Sequence, residues 1–371
     1  MLCIGLMSGT SLDGVDALLL EFAGDAMQTM QVLAHQHQPF AVALRDELLA
    51  LNRPGGSDEL HRAALAANAV ARSYADSVAQ VLEASGHARH DITAVGAHGQ
   101  TVRHRPGEFD GCGYTCQLLN AALLAEQTGI SVVSDLRSRD VAAGGQGAPL
   151  VPAFHRAQFG QTGRDIAVLN IGGISNISLL GADGSTLGFD CGPGNCLMDL
   201  WVAEHLNKAF DASGAWAASG AVLPGLLTDL LAEPYFSLPP PRSTGRDLFN
   251  RPWLTRYLSA AVRRPEDVQA TLLELTAQSI VQSVPASTQE LLVCGGGALN
   301  TALMARLQAL LPEIGVLATD ARGLPAMQVE AAAFAWLAMR FMQRLPGNLP
   351  AVTGAAGPRI LGAFYPGGTE V

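Results

Sequence analysis

Two rhythms of apolar and polar positions alternate along this chain of 371 residues. Short apolar runs end in glycine-rich turns, and longer stretches repeat their apolar residues every three or four positions. Ile4 to Met7 is apolar, and Val15 to Phe22 resumes an apolar run broken by Asp16 and Glu21. Between them "SGTSLDG" predicts a hairpin whose loop ends in an Asp-Gly turn. Helices are predicted from Val42 to Leu51, and from an N-cap at Ser57 to about Ser85, closed by Gly86. "ITAVGAHGQT" reads as a strand entering a polar loop, "LNAALLAEQTG" as a helix closed by Gly129, and "ISVVSD" as a strand. "DVAAGGQGAPLVPAFHRAQF" reads as a glycine-rich loop entering a helix.

At Ile166 the opening pattern returns, because "IAVLNIGGISNISLL" is again a strand, a tight Gly-Gly turn and a strand. Two such hairpins about 160 residues apart suggest two related halves. "TLGFD" is a strand, "CGPGN" breaks it, and Asn195 is placed to cap the helix "CLMDLWVAEHL". The proline-dense "SLPPPRSTGRDLFN" reads as an exposed excursion. Arg242 and Arg246 are solvated in that reading, with a phosphate or subunit contact as the second one. Pro265 opens another helix, "ELLVCGGGALN" is a buried strand running into three glycines, and "QVEAAAFAWLAMRFMQRL" is the last long helix. Strands and helices in alternation mark an α/β protein.

Composition narrows the partners. A net charge of −10 argues against nucleic acid and against an anionic membrane surface. No apolar run reaches the roughly 18 residues of a membrane span. The six cysteines form no C-x-x-C pair and have apolar neighbours, which suits buried free thiols. With "MLCIGLM" entering a strand directly, without a basic leader, this points to a reducing cytoplasm.

The candidate chemistry lies in glycine turns that follow strands: Gly9 to Gly14, Gly172-Gly173 and Gly295-Gly296-Gly297. Each alone is as well read as an ordinary structural turn. The first lacks the Gly-Lys-Ser/Thr of a Walker loop, and a strand follows where that loop would open a helix. In an open α/β sheet ligands bind at the carboxyl ends of strands, and exposed backbone N–H groups suit phosphate oxygens. Together the three turns describe a nucleotide site.

The order strand, glycine loop, strand, then "VLNIGGISN" and "LLVCGGGALN", resembles the actin-like ATPase superfamily of sugar kinases and Hsp70 chaperones. More narrowly, "GLMSGTSLDGVD", "GAHGQT", "DVAAGGQGAPLVPAFH", "GFDCGPGN", "STGRDLFN" and "RLPGNLPAVTGA" resemble the anhydro-N-acetylmuramic acid kinase family over almost the whole chain. The resemblance implies a two-domain actin-like, ribonuclease H-like fold with an interdomain cleft. The expected domains are residues 1–135 plus about 350–371, and 136–349. It also implies a cytoplasmic enzyme of cell-wall recycling that uses ATP, Mg²⁺ and water to open 1,6-anhydro-N-acetylmuramic acid and phosphorylate O6.

Matched onto the family's motifs, Asp190 is the catalytic carboxylate, with a turn-capping role as the alternative, and Glu330 is a second candidate for proton transfer. Gly9, Thr10, Ser11, Leu12, Asp13, Gly14, Val15 and Asp16 are expected at ATP, as are Gly172, Gly173, Gly295, Gly296 and Gly297. His98, Gln100 and Arg137 are candidate sugar contacts, with His98 read equally as a strand-end histidine bonded internally. The superfamily's metal-holding aspartate is replaced by Met7, which leaves Asp13, Asp16 and Asp190 as acidic candidates and the metal's protein ligands open. Leu119 and Ala121 depart from the family's pattern, a change that alters sugar affinity if that loop touches the N-acetyl or lactyl arm. A kinase for another amino sugar or a hexose, and a nucleotide-regulated binding protein, are the rival readings, and a homodimer stays open.

Overall fold

The first apolar run pairs with the second because the Asp13-Gly14 turn brings them back antiparallel, with Met7 opposite Asp16. The computed structural model describes residues 1–9, 11–24, 29–240, 242–258 and 263–368. Thr10 therefore lies outside the described residues. The chain divides into two units, Met1–Gln158 with Gln328–Val371, and Phe159–Met327.

The first unit runs β1 (Leu2–Met7), β2 (Gly14–Ala23), β3 (Thr29–Pro39), α1 (Val42–Leu51), α2 (Glu59–Ser85), β4 (Ile92–Ala97), β5 (Gln100–Pro106), β6 (Gly113–Leu118), α3 (Ala121–Thr128), β7 (Val132–Ser134), α4 (Ser138–Ala142) and α5 (Val151–Phe159). The second runs β8 (Ile166–Ile171), β9 (Ile174–Leu180), β10 (Thr186–Pro193), α6 (Cys196–Leu206), α7 (Ala215–Ser219), α8 (Pro224–Leu231), α9 (Arg251–Leu258), α10 (Pro265–Val281), β11 (Glu290–Cys294), α11 (Thr301–Leu310) and β12 (Gly315–Ala318). The chain then returns to the first unit with α12 (Val329–Met342), α13 (Pro350–Thr353) and β13 (Ala363–Tyr365).

The two sheets share one topology. The first is ordered β13-β7-β4-β1-β2-β3 and the second β10-β9-β8-β11-β12. In each, a three-stranded antiparallel meander is followed by two parallel strands. That repeated order is the ribonuclease H-like unit of the actin-like fold that the resemblance implies, and it gives the two related halves that the paired glycine hairpins suggest. β5 and β6 form a separate two-stranded ribbon where a polar loop was expected.

The expected domain boundaries at 135/136 and 349/350 move to 158/159 and 327/328. The first shift goes with Asp140 of α4, whose Oδ1 accepts from Asn348 Nδ2 at 2.6 Å and Thr353 Oγ1 at 2.8 Å, and the second with α12, which docks on the first sheet rather than the second. Gly5 of β1 lies beside Gly96 of β4. A Cβ on Gly5 would overlap the Ala331 carbonyl oxygen, and one on Gly96 would overlap that of Phe334. Two adjacent glycines thus make a bare strip on the sheet, and the alanines of α12 (Ala331, Ala332, Ala335, Ala338) let the helix backbone settle onto it. α2 covers the same unit with a stripe of Ala66, Val70, Tyr74, Val78 and Val81, spaced to lie on one helix face. It begins at Glu59 rather than after a Ser57 cap, because Asp58, with φ 48°, stands outside the helical region at the N-cap, and the Glu59 carboxylate accepts the Gly56 N–H at 2.6 Å. It ends at Gly86, whose φ of 70° supplies the left-handed C-cap.

The cysteines also need one correction. Cys3, Cys191, Cys196 and Cys294 are buried, but Cys112 is exposed and Cys116 half-buried on the ribbon. No helix is long and apolar enough to cross a membrane among the described residues.

Gly96→Val should force α12 off the sheet and lower the unfolding free energy by at least about 2 kcal/mol. Urea unfolding of the variant checks this, and an unchanged midpoint would contradict the docking.

Candidate active site

In the first unit the opening loop is tied down from below. Leu12, with φ 57°, donates its N–H to the Gly9 carbonyl at 3.2 Å and is buried in the core. Val15 is also fully buried, so neither of these side chains faces a ligand. Ser11 Oγ donates to Asp13 Oδ1 at 2.8 Å. Asp16 turns toward β3, where His35 Nε2 and His37 Nδ1 each lie 3.1 Å from its Oδ1.

Two side chains from the end of β4 and the start of β5 meet this loop. Gln100 Nε2 donates to the Gly9 carbonyl at 3.1 Å, while its Oε1 is buried without a partner. His98 is buried with both ring nitrogens engaged. Nδ1 faces the Ser8 carbonyl at 3.2 Å, and Nε2 faces Arg137 Nε at 3.2 Å and Nη2 at 3.0 Å. Arginine only donates, so Nε2 is the acceptor and Nδ1 carries the proton. Arg137 also donates to the Gly147 carbonyl at 2.7 Å. His98 is thus an internally bonded residue that orients Arg137. A cavity of about 250 Å³ opens beside it, with Cys116, Gln117, Asp135 and Ser138 in its lining. Leu119 also lines the cavity, whereas Ala121 is buried at the start of α3.

The docking of α12 sets Glu330 in its first turn, within electrostatic reach of Arg137, Asp13 and Asp16. Burial raises its carboxyl above the ordinary range; the Arg137 charge opposes this, and the two aspartates add to it. Among the described residues this carboxylate makes no hydrogen bond.

In the second unit Asp190 sits where β10 bulges against β9, between the pairs Asp190–Asn176 and Gly192–Ser175. The proline-dense segment folds back onto it. Thr244 N donates to Asp190 Oδ2 at 2.9 Å and Ser243 Oγ donates to the same oxygen at 3.2 Å. Oδ1 carries no hydrogen bond among the described residues. Burial raises the Asp190 carboxyl, and the donors Thr244 and Ser243 and the Arg242 charge pull it back. Arg242, read from sequence as solvated, instead donates to the carbonyls of Phe236 (3.0 Å), Leu238 (2.9 Å) and Asp190 (3.2 Å) and to Ser283 Oγ (3.1 Å).

The two other glycine turns meet at the end of β8. The Gly172 and Gly173 carbonyls accept the N–H groups of Asn195 (2.8 Å) and of Gly194 and Cys196 (2.9 and 3.1 Å), which seats the start of α6. Asn195 does not cap that helix with its side chain; its Nδ2 donates to the Ile171 carbonyl at 3.2 Å. Gly295, with φ 77°, has no room for a side chain beside Asn170, and Gly297 none beside Ile171. Sequence reasoning missed Ser243, Thr244 and the clamping role of Arg242. The quoted "STGRDLFN" was the available signal.

Two units of this topology, each carrying glycine turns at its strand ends, define the actin-like fold class. The sequence profile described as anhydro-N-acetylmuramic acid kinase matches residues 1–367. A protein of that name from Variovorax paradoxus (strain S110) is 59% identical over 374 residues, spanning 98% of this chain and 99% of its own. Another from Nitrosomonas europaea is 51% identical over 369 residues, spanning 99% and 100%. A ROK family glucokinase from Streptomyces griseus, solved with glucose and AMPPNP, is 13% identical with a TM-score of 0.42 over 91% of this chain and 99% of its own. The chain belongs to the anhydro-N-acetylmuramic acid kinase family.

Burial and the Arg137 charge push the His98 imidazole down to about 3, from an ordinary value near 6.5. Between those values the unfolded chain binds a proton that the folded chain refuses, so this contribution to stability is complete above about pH 6.5 and is lost on acidification. The stability of the protein relative to a His98→Gln variant should therefore fall by up to about 1.4 kcal/mol per pH unit below pH 6.5. Urea titrations at stepped pH read this, and a pH-independent difference would refute a neutral buried His98.

Proposed function

We propose that the protein is a cytoplasmic ATP-dependent kinase of peptidoglycan recycling. It opens 1,6-anhydro-N-acetylmuramic acid with water and delivers the γ-phosphoryl group of ATP to O6, giving N-acetylmuramic acid 6-phosphate and ADP. Family membership supports the substrate, and one observation in the structure carries the mechanism: Asp190 is held through Oδ2 alone, leaving Oδ1 for a water.

The sugar has no free 6-hydroxyl, since O6 bridges to C1. Asp190 Oδ1 accepts a proton from water as the water oxygen bonds to C1. The C1–O6 bond breaks, O6 bonds to the γ-phosphorus, and the bond from phosphorus to the β-phosphate oxygen breaks. The proton then passes to solvent. Thr244 N–H and Ser243 Oγ–H keep the carboxylate oriented, and a positioned base of this kind contributes roughly 10²–10⁴ in rate.

In this reading the phosphates and nucleotide are taken by those backbone N–H groups of the Gly9–Gly14, Gly172-Gly173 and Gly295–Gly297 turns that make no bond within the protein, which sets aside Leu12 and Gly295, whose N–H groups donate to the Gly9 and Ala326 carbonyls. Gln100 and Arg137 take sugar oxygens, His98 acts by fixing Arg137, and Glu330 is the second proton-transfer group. The cleft of the fold class belongs to the same proposal, because ATP and sugar each need groups drawn from both units. Magnesium held by side chains alone does not fit. Among the described residues no group of three His, Cys, Asp or Glu side chains is placed to hold a metal ion, and Asp16 Oδ1 is already engaged with His35 and His37.

Asp190→Asn should preserve the fold and sugar binding and lower kcat by roughly 10²–10⁴. In the unaltered enzyme the acid limb of kcat against pH should fall above the ordinary aspartate range, the direction in which burial moves this carboxyl. A coupled ADP assay with calorimetry of sugar binding checks both. A variant with near-normal kcat would transfer the role of base to Glu330.

A further inference from the structure

The transferring phosphoryl group needs positive charge beside it, and the chain's inventory of cations is narrow. Lys208 is its single lysine. It follows the end of α6, roughly 16 Å along that helix from the turn that seats the helix start. A side-chain cation at the Gly172-Gly173 turn within the second unit must be an arginine.

Arg246 stands there. A Cβ on Gly173 would lie 2.8 Å from its Nη2 and 3.1 Å from its Nε, so the guanidinium rests against backbone that only glycine leaves bare. Arginines elsewhere in this unit are committed: Arg251 to Glu204 (2.8 Å), Arg306 to Glu274 (2.6 Å), Arg322 to Glu290 (2.6 Å) and Arg242 to its carbonyls. Among the described residues the Arg246 guanidinium has no carboxylate within ion-pair distance and no hydrogen bond. Asp199, in the first turn of α6, feels its charge at longer range.

The backbone under Arg246 is fixed on both sides. Thr244 is bonded to Asp190, and Phe249, which donates to the Gly245 carbonyl at 3.1 Å, is buried. Asn250 Nδ2 donates to the Arg246 carbonyl at 3.2 Å. One short segment therefore delivers Thr244 to the carboxylate and, two residues on, a free guanidinium to the glycine turn.

We propose that Arg246 is a catalytic residue of the phosphoryl transfer, its guanidinium contacting oxygens of the γ-phosphoryl group. It offsets the charge spread over those oxygens while the group moves from ADP to O6, and it stays protonated throughout. The assignment rests on the reading that the ATP phosphates lie at Gly172-Gly173.

The test compares Arg246→Ala and Arg246→Lys with the unaltered enzyme. The alanine variant should lose roughly 10²–10³ in kcat, with an unchanged thermal midpoint and a sugar KM within about twofold. Added guanidinium ion should restore part of that rate and none to the unaltered enzyme. The lysine variant should recover only part, lacking the bidentate fork. In a separate arm without sugar, AMPPNP affinity relative to ADP should fall at least about tenfold in the alanine variant, the loss of one charge-assisted contact. An alanine variant with near-normal kcat overturns the proposal, as does a loss of rate with a lowered thermal midpoint and no guanidinium rescue. If the unaltered enzyme fails to turn over the anhydro sugar, the function proposed above falls. The AMPPNP-to-ADP ratio then decides Arg246 alone: an unchanged ratio overturns it and a fall supports it.

Discussion

The Arg242 guanidinium joins four acceptors that three separate elements bring to one place: the carbonyls of Phe236 and Leu238, the Asp190 carbonyl on β10, and Ser283 Oγ just beyond α10. It also lies over the rings of Phe189 and Tyr235, at 5.6 and 5.3 Å from their centroids. A guanidinium is costly to desolvate unless its donors are met, and here the carbonyls of a proline-dense segment meet them. The consequence is positional. With Arg242 anchored, Ser243 and Thr244 have no choice but the Asp190 carboxylate, and the chain beyond them runs over the Gly172-Gly173 turn. Burial alone would favour the neutral acid; the donors that the clamp brings in favour the ionised form.

The first unit solves a similar problem with a neutral histidine. His98 passes the Ser8 carbonyl on one side to Arg137 on the other, so the opening loop and an arginine are held by one ring. The ring itself rests on Phe334 of α12, with centroids 4.7 Å apart. The strip made by Gly5 and Gly96 therefore matters well beyond stability. The same helix that closes over it presents Phe334 to His98 and Glu330 to the neighbourhood of Asp13, Asp16 and Arg137. Any displacement of α12 moves both ends of that arrangement together.

Much of the fold could be read in the residues, because its dominant signals are local. Glycine hairpins between apolar runs gave β1–β2 and β8–β9, and Gly86 and Gly129 marked helix ends where they occur. β3 was missed because "TMQVLAHQHQP" is an edge strand, half-buried and polar, with little apolar alternation to announce it. The β5–β6 ribbon was missed for the same reason, and with it one wall of the cavity beside His98. The unit boundary was misplaced because sequence shows that α12 is apolar and alanine-rich but not which sheet it covers. Asp190 and the glycine turns were legible as motifs. Arg242 and Arg246 read first as solvated, with a phosphate or subunit contact second, since proline density reports exposure of a segment on average and says nothing about where its longest side chains reach.

The central claim is that water, and not a sugar hydroxyl, is the nucleophile at carbon while O6 is the nucleophile at phosphorus. Turnover of the anhydro sugar in ¹⁸O-water, sampled before the anomeric oxygen can exchange and resolved by fragment mass spectrometry, tests this directly. The account predicts one ¹⁸O in the sugar fragment from the earliest time point and none in the transferred phosphoryl group. Label in the phosphoryl group, or an early product with no label in the sugar, would contradict it.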